Sequence, residues 1–300
     1  MPKIVLEEVS LRDGLQFEEK VLPLKDKLHL FRLLTGAGVK RVQIGSFVHP
    51  KIVPQMADTD EFISRIKDDY SEVLITGLVL NQKGLERAVD SGLKHVSLSV
   101  SASNTHSLKN VRRPYQEALD SMVVLIETAV EGGMRVRAGV QCAFGCVYEG
   151  AISEDRVVDT ACAMADAGAS ELNLADTTGM ANPIQIKQLV KRVKQSIPEI
   201  AVSLHLHDTR GLGLANMMAG YEVGVAIFDV SAGGLGGCPF VKGASGNVPT
   251  EDAVNLFNQI DVDTGIGLEA LCNVVNKYEA LLGRRLPGRM SRVIKSQGSC

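Results

Sequence analysis

The segment Ser203-Leu-His-Leu-His-Asp-Thr209 places two imidazoles, His205 and His207, two positions apart in an apolar run that reads as a β-strand. Alternate residues of a strand share a face, so both rings point the same way. Two imidazoles converging on one face of a buried strand suit a metal ion. The competing reading is a pair of hydrogen-bonded core histidines. Other side chains able to do chemistry follow other apolar runs: Arg12 and Asp13 after the first, Gln43 and Ser46 in the second, Asp176 after the sixth. The last such run leads into Gly233-Gly-Leu-Gly-Gly-Cys-Pro239 and Gly243-Ala-Ser-Gly-Asn247. Two histidines, a carboxylate and an amide oxygen form a mixed N/O donor set, suited to Mg²⁺ or Mn²⁺ with open water positions rather than to a closed thiolate site. Cys238, flanked by glycine in a loop, reads as a reactive thiol; most free cysteines are small buried hydrophobes. Asp176 reads equally well as a helix cap.

The elements that must position these groups alternate regularly. Strand-like runs fall at Lys3–Val9, Arg41–Ser46, Val73–Val79, His95–Val100, Val136–Ala143, Glu171–Leu174, Ala201–Leu206 and Ala226–Ser231. Each is rich in Val, Ile and Leu and is followed by small or polar residues. Amphipathic stretches lie between them, at Lys25–Gly36, Gln82–Asp90, Gln116–Gly132, Asp155–Ala167 and Pro183–Gln195, the first four with glycine at or just past their ends. Eight strands with intervening helices predict an α/β fold, a (β/α)8 TIM barrel. An open doubly wound sheet would carry a glycine-rich phosphate loop after its first strand, where this chain has Leu11-Arg-Asp-Gly14. The expected organisation is one catalytic domain over 1–300. A C-terminal helical extension runs from about Asp263, including a helix at Leu268–Leu282. In such a barrel the reactive groups belong at the C-terminal ends of the strands, where the polar residues above all fall.

Composition narrows the partners. The 300 residues are 45% hydrophobic and 22% charged, with a formal net charge of −3. Charge is mixed along the chain and no Lys/Arg block offers a nucleic-acid surface. No apolar run is long enough to span a membrane. The six cysteines are scattered and suit a reducing, cytoplasmic setting. Cys142 and Cys146 read as structural.

Several segments together resemble the 3-hydroxy-3-methylglutaryl-CoA lyase family, within the barrel enzymes that make or break C–C bonds beside acyl-CoA or 2-oxo acids. They are Leu11-Arg-Asp-Gly-Leu-Gln16, Ser46-Phe-Val-His-Pro-Lys-Ile-Val-Pro-Gln-Met56, Phe144-Gly-Cys-Val-Tyr-Glu-Gly150, Ala175-Asp-Thr-Thr-Gly179, His205-Leu-His-Asp-Thr209, and the glycine–cysteine loop through Asp252. The resemblance implies a divalent cation, Mg²⁺ or Mn²⁺, on Asp13, His205, His207 and Asn247. It implies catalytic roles for Arg12 and Cys238, with Asp176 on the proton path, and substrate contacts from Gln16, Gln43 and Ser46. The implied reaction is retro-Claisen cleavage of a 3-hydroxyacyl-CoA, 3-hydroxy-3-methylglutaryl-CoA foremost, to acetyl-CoA and acetoacetate. An acyl-CoA is thus the expected partner, with a homodimer left open.

Two positions depart from the family pattern. Gln43 stands where the family usually has a catalytic Glu, and an amide cannot take a proton as a carboxylate does. Asn104, Thr105 and His106 stand where the family usually reads Ser-Glu and an aromatic. A related 3-hydroxyacyl-CoA, branched or bearing a 3-carboxyl group, is therefore an alternative substrate. A Claisen-condensing synthase on the same scaffold is another reading. It resembles the chain at Arg12, Asp13, His205 and His207, but usually carries a longer C-terminal extension and lacks the Gly-Gly-Cys-Pro loop.

Overall fold

Eight parallel strands close into a barrel in sequence order. They are β1 (Val5–Glu8), β2 (Arg41–Ser46), β3 (Leu74–Leu78), β4 (His95–Ser101), β5 (Arg135–Gln141), β6 (Glu171–Ala175), β7 (Ala201–His205) and β8 (Ile227–Val230). Closure comes from β1 pairing with β8, with Val5 opposite Ile227 and Glu8 opposite Val230. The computed structural model describes residues 3–66, 69–237 and 246–297. The outer layer comprises α1 (Leu24–Gly36), α2 (Thr59–Ile66), α3 (Gln82–Asp90), α4 (Asn104–Val111), α5 (Tyr115–Glu131), α6 (Glu154–Asp166), α7 (Pro183–Ser196), α8 (Gly213–Glu222) and α9 (Thr250–Asn258). Two further helices, α10 (Leu268–Leu282) and α11 (Met290–Gln297), follow the last βα unit. The expected barrel and its extra C-terminal helices are both present.

Local sequence accounts for many of these boundaries. Helix α7 begins with a capping box: Asn182 accepts from the Ile184 and Gln185 N–H groups, Gln185 reaches back to the Asn182 N–H, and Pro183 occupies the first turn. Asn81 caps α3 by accepting from the Gly84 N–H. After α1, Gly38 turns the chain at φ +103°, and a Cβ there would lie 2.2 Å from the Gly265 carbonyl oxygen. That close approach ties the first helix to the segment leading into α10.

Strand sides facing the helices bury Val, Ile and Leu, as in Val42, Ile44, Val96, Leu98, Leu172, Leu174 and Leu204. The barrel interior is more polar than the apolar runs suggest. Glu7, Arg41, Arg137, Glu171 and Asp229 are all buried. Arg41 pairs with Glu7 at 2.5 Å and Glu171 at 2.7 Å. Arg137 pairs with Glu7 at 3.1 Å, with Glu171 at 2.8 Å, and with Asp229. Mutual pairing is what makes burial of five charges tolerable.

Candidate active site

Arg12 and Asp13 are not the end of the first strand. That strand stops at Glu8, and Ser10–Gly14 form a single wide helical turn. Its carbonyls accept from residues five positions on: Val9 from Gly14 at 3.1 Å, Ser10 from Leu15 at 2.9 Å. One extra residue in a turn rotates the side chains relative to an ordinary helix, and such turns cluster at functional sites. Here the turn carries Arg12 and Asp13 over the strand ends.

His207 likewise lies beyond its strand, since β7 ends at His205. It makes an isolated antiparallel bridge with Asn247. The Asp208 N–H donates to the Gly246 carbonyl at 2.9 Å and the Val248 N–H to the Leu206 carbonyl at 3.3 Å. This ribbon extends the geometry of the strand, so the two imidazoles still converge. His205 Nε2 and His207 Nε2 stand 3.1 Å apart. The other His205 nitrogen, Nδ1, faces Asp229 Oδ2 at 3.0 Å. Burial, reinforced by the adjacent His205, holds His207 down at about 4. The ring is therefore neutral at physiological pH, the form that can ligate a metal.

The ligand atoms of Asp13, His205 and His207 all lie within 4.8 Å of one another. Asp13 Oδ2 accepts from Asn247 Nδ2 at 2.8 Å, and Asp13 Oδ1 accepts from Gln16 Nε2 at 3.1 Å and from Arg12. Burial opposes the Asp13 charge, but Arg12, both histidines and the Asn247 amide outweigh it and hold the carboxyl below its usual range. With its Nδ2 committed to Asp13 and to the Leu235 carbonyl, Asn247 keeps a buried Oδ1 that has no partner among the described residues. A buried amide oxygen left unpaired is costly, and two imidazole nitrogens face to face repel unless a proton or cation lies between them. Donor atoms about 3 Å apart are what adjacent positions around an ion with ~2.1 Å bonds require. On these grounds the residues fit a divalent ion.

Around this centre, Gln43 is wholly buried. Its Oε1 accepts from Arg12 Nε and its Nε2 has no partner among the described residues. Ser46 is buried at the end of β2. Asp176 does not cap α7, because Asn182 does so. Asp176 Oδ1 instead accepts from the Met180 and Ala181 N–H groups at 2.7 and 3.1 Å, while Oδ2 is buried with no partner among the described residues. Burial raises the Asp176 carboxyl to about 6, against those bonds and the Arg210 charge. Asn104 is exposed, and its Oδ1 accepts from the Tyr115 N–H, tying α4 to α5. His106 is buried and held down to about 4 by that burial. Burial also pushes the Cys142 thiol up to about 12, in keeping with a structural role. Cys238 lies outside the described residues.

Sequence reasoning missed Asp229 and Arg137. Both sit in apolar runs, as Ile-Phe-Asp-Val and Val-Arg-Ala, and a single charge at an inward strand position was the available signal. Burial pushes Asp229 upward, but Arg137 and then His205 outweigh it and lower its carboxyl.

A closed (β/α)8 barrel with an acid, two histidines and an arginine gathered at the C-terminal strand ends belongs to the class of TIM-barrel enzymes, and this donor set fits a mixed N/O metal site. Comparison with known proteins defines the group further. The HMGL-like family model matches residues 3–277. A hydroxymethylglutaryl-CoA lyase of Bacillus subtilis is 38% identical over 294 residues, covering 98% of each chain. The (R)-citramalyl-CoA lyase of Chloroflexus aurantiacus is 40% identical over 302 residues, covering 97% of this chain and 95% of that one. A solved HMG-CoA lyase from Acinetobacter baumannii, in complex with coenzyme A and 3-methylmalate, superposes with a TM-score of 0.91 at 40% identity, covering 97% and 94%. The chain belongs to the HMGL-like family, and its enzyme class is that of the carbon–carbon lyases. No helix of the described residues is long and apolar enough to cross a membrane.

Proposed function

We propose that this enzyme cleaves a 3-hydroxyacyl-CoA between C2 and C3 in a divalent-metal-dependent retro-Claisen reaction, with 3-hydroxy-3-methylglutaryl-CoA as the leading substrate and acetyl-CoA and acetoacetate as products. The observation that carries this reading is the convergence of His205 Nε2, His207 Nε2 and Asp13 on a point beside Asn247 Oδ1, which has no partner among the described residues. These four residues would hold Mg²⁺ or Mn²⁺. Bound there, the ion would supply Lewis acidity that makes the substrate C3 hydroxyl easier to deprotonate. The hydroxyl proton leaves as C3–O becomes a carbonyl, the C2–C3 pair stays on C2, and C2 is then protonated. Asp176 Oδ2, buried and unpartnered on a carboxyl raised to about 6, is suited to hold the hydroxyl proton. Arg12 is anchored by Gln43 and Asp13, and its remaining N–H groups are available to the charge that grows on the thioester oxygen. Cys238 is the proposed donor to C2. Gln16, Gln43 and Ser46 are the proposed substrate contacts.

A second substrate reading has its own support. An arginine only donates, so the Gln43 oxygen must face Arg12, and the Gln43 amide N–H groups are left facing away from it. A neutral donor cannot act as a base, and it leaves the site one charge more positive than an acid at 43 would. That favours a substrate with its carboxylate on the carbinol carbon, close to the cation. Two relatives at 40% identity are linked by name to such acids: the citramalyl-CoA lyase, and the lyase solved with 3-methylmalate.

Acetyl-CoA release over a panel of 3-hydroxyacyl-CoA esters, with EDTA and with added Mg²⁺ or Mn²⁺, tests the proposal. Activity should vanish in EDTA and return with metal; cleavage indifferent to both refutes the metal role. Gln43→Glu separates the substrates. Better cleavage of 3-hydroxy-3-methylglutaryl-CoA supports the first, whereas loss of activity on citramalyl-CoA with no gain on the other supports the second.

A further inference from the structure

We infer that Asp229, held in place by Arg137, is a positioning residue that sets the tautomer of His205 and thereby makes that ring a ligand. This inference rests on the site being a metal centre, but not on the identity of the acyl group. His205 can offer a lone pair at Nε2 only if its proton sits on Nδ1. Asp229 Oδ2 is 3.0 Å from Nδ1 and, as an ionised carboxylate, can only accept there. Asp229 Oδ1 in turn accepts from Arg137. Both side chains are buried, so neither is replaced by solvent. Arg137 itself is fixed: it also reaches Glu7, Glu171 and Ser203 Oγ, and Arg41 braces the same two glutamates from the other side.

The charges of this interior network are unequal. Three carboxylates, Glu7, Glu171 and Asp229, face two guanidiniums, Arg41 and Arg137. One buried negative charge is in excess, and Asp229 is the carboxylate of the three that touches the imidazole. A positive centre on the far side of His205 offsets it. The network therefore runs from the barrel interior to the back of the ligand cluster. It orients the ring through a charge-assisted bond, and outer partners of this kind typically change metal affinity about 10–100-fold when removed.

Asp229→Asn makes the test sharp. Asp229 has two donors to satisfy, Arg137 and His205, and an asparagine has one oxygen. Arg137 cannot accept, so it keeps that oxygen. The amide N–H then points at His205 Nδ1, which must accept, and the ring proton moves to Nε2. In ¹⁵N-labelled, metal-free protein, long-range ¹H–¹⁵N correlations should show the His205 proton on Nδ1 in the native chain and on Nε2 in Asp229→Asn. Mn²⁺ affinity by calorimetry should fall about 10–100-fold with the fold intact by circular dichroism. Arg137→Lys, which cannot span the same three carboxylates, should weaken Mn²⁺ binding less than Asp229→Asn does. A native chain with its proton on Nε2 overturns the inference even if the variants fail to fold. So does an Asp229→Asn protein that keeps the Nδ1 proton and binds Mn²⁺ as before, since a merely structural role would lower the melting temperature and move neither readout. Loss of acyl-CoA cleavage plays no part in these measurements, so failure of the proposed reaction stays distinguishable.

Discussion

Arg12 spends its Nε on Gln43 and one terminal nitrogen on Asp13, so its position is set before any substrate arrives. In the proposed reaction that preorganisation stabilises a charge that exists only as the C–C bond breaks. Arg12→Gln should therefore fold normally and lose about 10²–10³ in kcat, as removal of one fixed donor typically does. Steady-state kinetics decides: a raised KM with kcat intact would make Arg12 a binding residue. Asn247 gives a second test at this scale. Asn247→Asp keeps the size but replaces the amide donor with an acceptor facing Asp13 Oδ2, now 2.8 Å from Nδ2. Two carboxylates that close repel in the metal-free protein and should relax only with a cation present. The variant should thus melt at a lower temperature than the native chain without Mn²⁺ and recover when Mn²⁺ is added. Equal melting in both conditions would argue against Asn247 lying at the cation.

At the scale of elements, β7 and α8 are held in close contact through a missing side chain. Gly220 lies in α8, and a Cβ there would come 2.5 Å from Leu204 Cδ1 and 3.2 Å from Phe228 Cε1. Leu204 precedes His205, so this contact also sets the height of the histidine strand. Gly220→Ala should be destabilising. Overpacking a filled core costs about 1–3 kcal/mol, which exceeds the ~1 kcal/mol that alanine gains over glycine in a helix. Thermal or denaturant unfolding reads the net loss, and an unchanged or higher melting temperature would mean that Leu204 can move aside. The wide turn at Ser10–Gly14 is positioned in a comparable way: a Cβ on Gly14 would sit 3.1 Å from Leu235 and 3.2 Å from Ser231 Oγ.

For the molecule as a whole, the C-terminal helices are joined to the barrel through buried acids. Glu251 in α9 accepts from the Gly233 N–H, and the Gly288 N–H donates to the Gly233 carbonyl. Tyr278 of α10 hydrogen-bonds Ser10 at 2.8 Å, while Glu8 accepts from Ser10, Ala232 and Thr250. Asp252 accepts from the Arg289 and Met290 N–H groups at the start of α11. Burial pushes Glu251 up to about 8, well above its ordinary 4.5. Below pH 4.5 the carboxyl is protonated whether folded or unfolded. Between 4.5 and 8 the folded state keeps a proton that the unfolded chain releases, so stability falls as pH rises, and above 8 this contribution is lost. Glu251→Gln mimics the protonated acid. Its melting temperature should decline less from pH 5 to pH 9 than that of the native chain, and parallel declines would place the titration elsewhere.

Much of this architecture was legible in the residue order because strands and helices announce themselves locally. β2, α3 and α10 have the bounds read from the sequence, and the other strands shift by a residue or two where pairing, rather than apolarity, ends them. Glycine closing or following α1, α3, α5, α6, α8 and α10 and the period-two apolar runs carry that information within a few neighbours. The candidate site was legible as a set of residue types, since barrel topology sends every strand end to one face. What the tertiary structure decided are relations between residues far apart in the chain. The ribbon between 206–208 and 246–248 brings Asn247 to His207, although β7 has already ended. Placement of Asp13 depends on a turn with one extra residue, which no local propensity distinguishes from an ordinary loop. The Arg137–Asp229–His205 chain joins three strands across the barrel interior. Each of its charges looks out of place in its own apolar segment, and only closure of the barrel supplies the partners that let it stay buried.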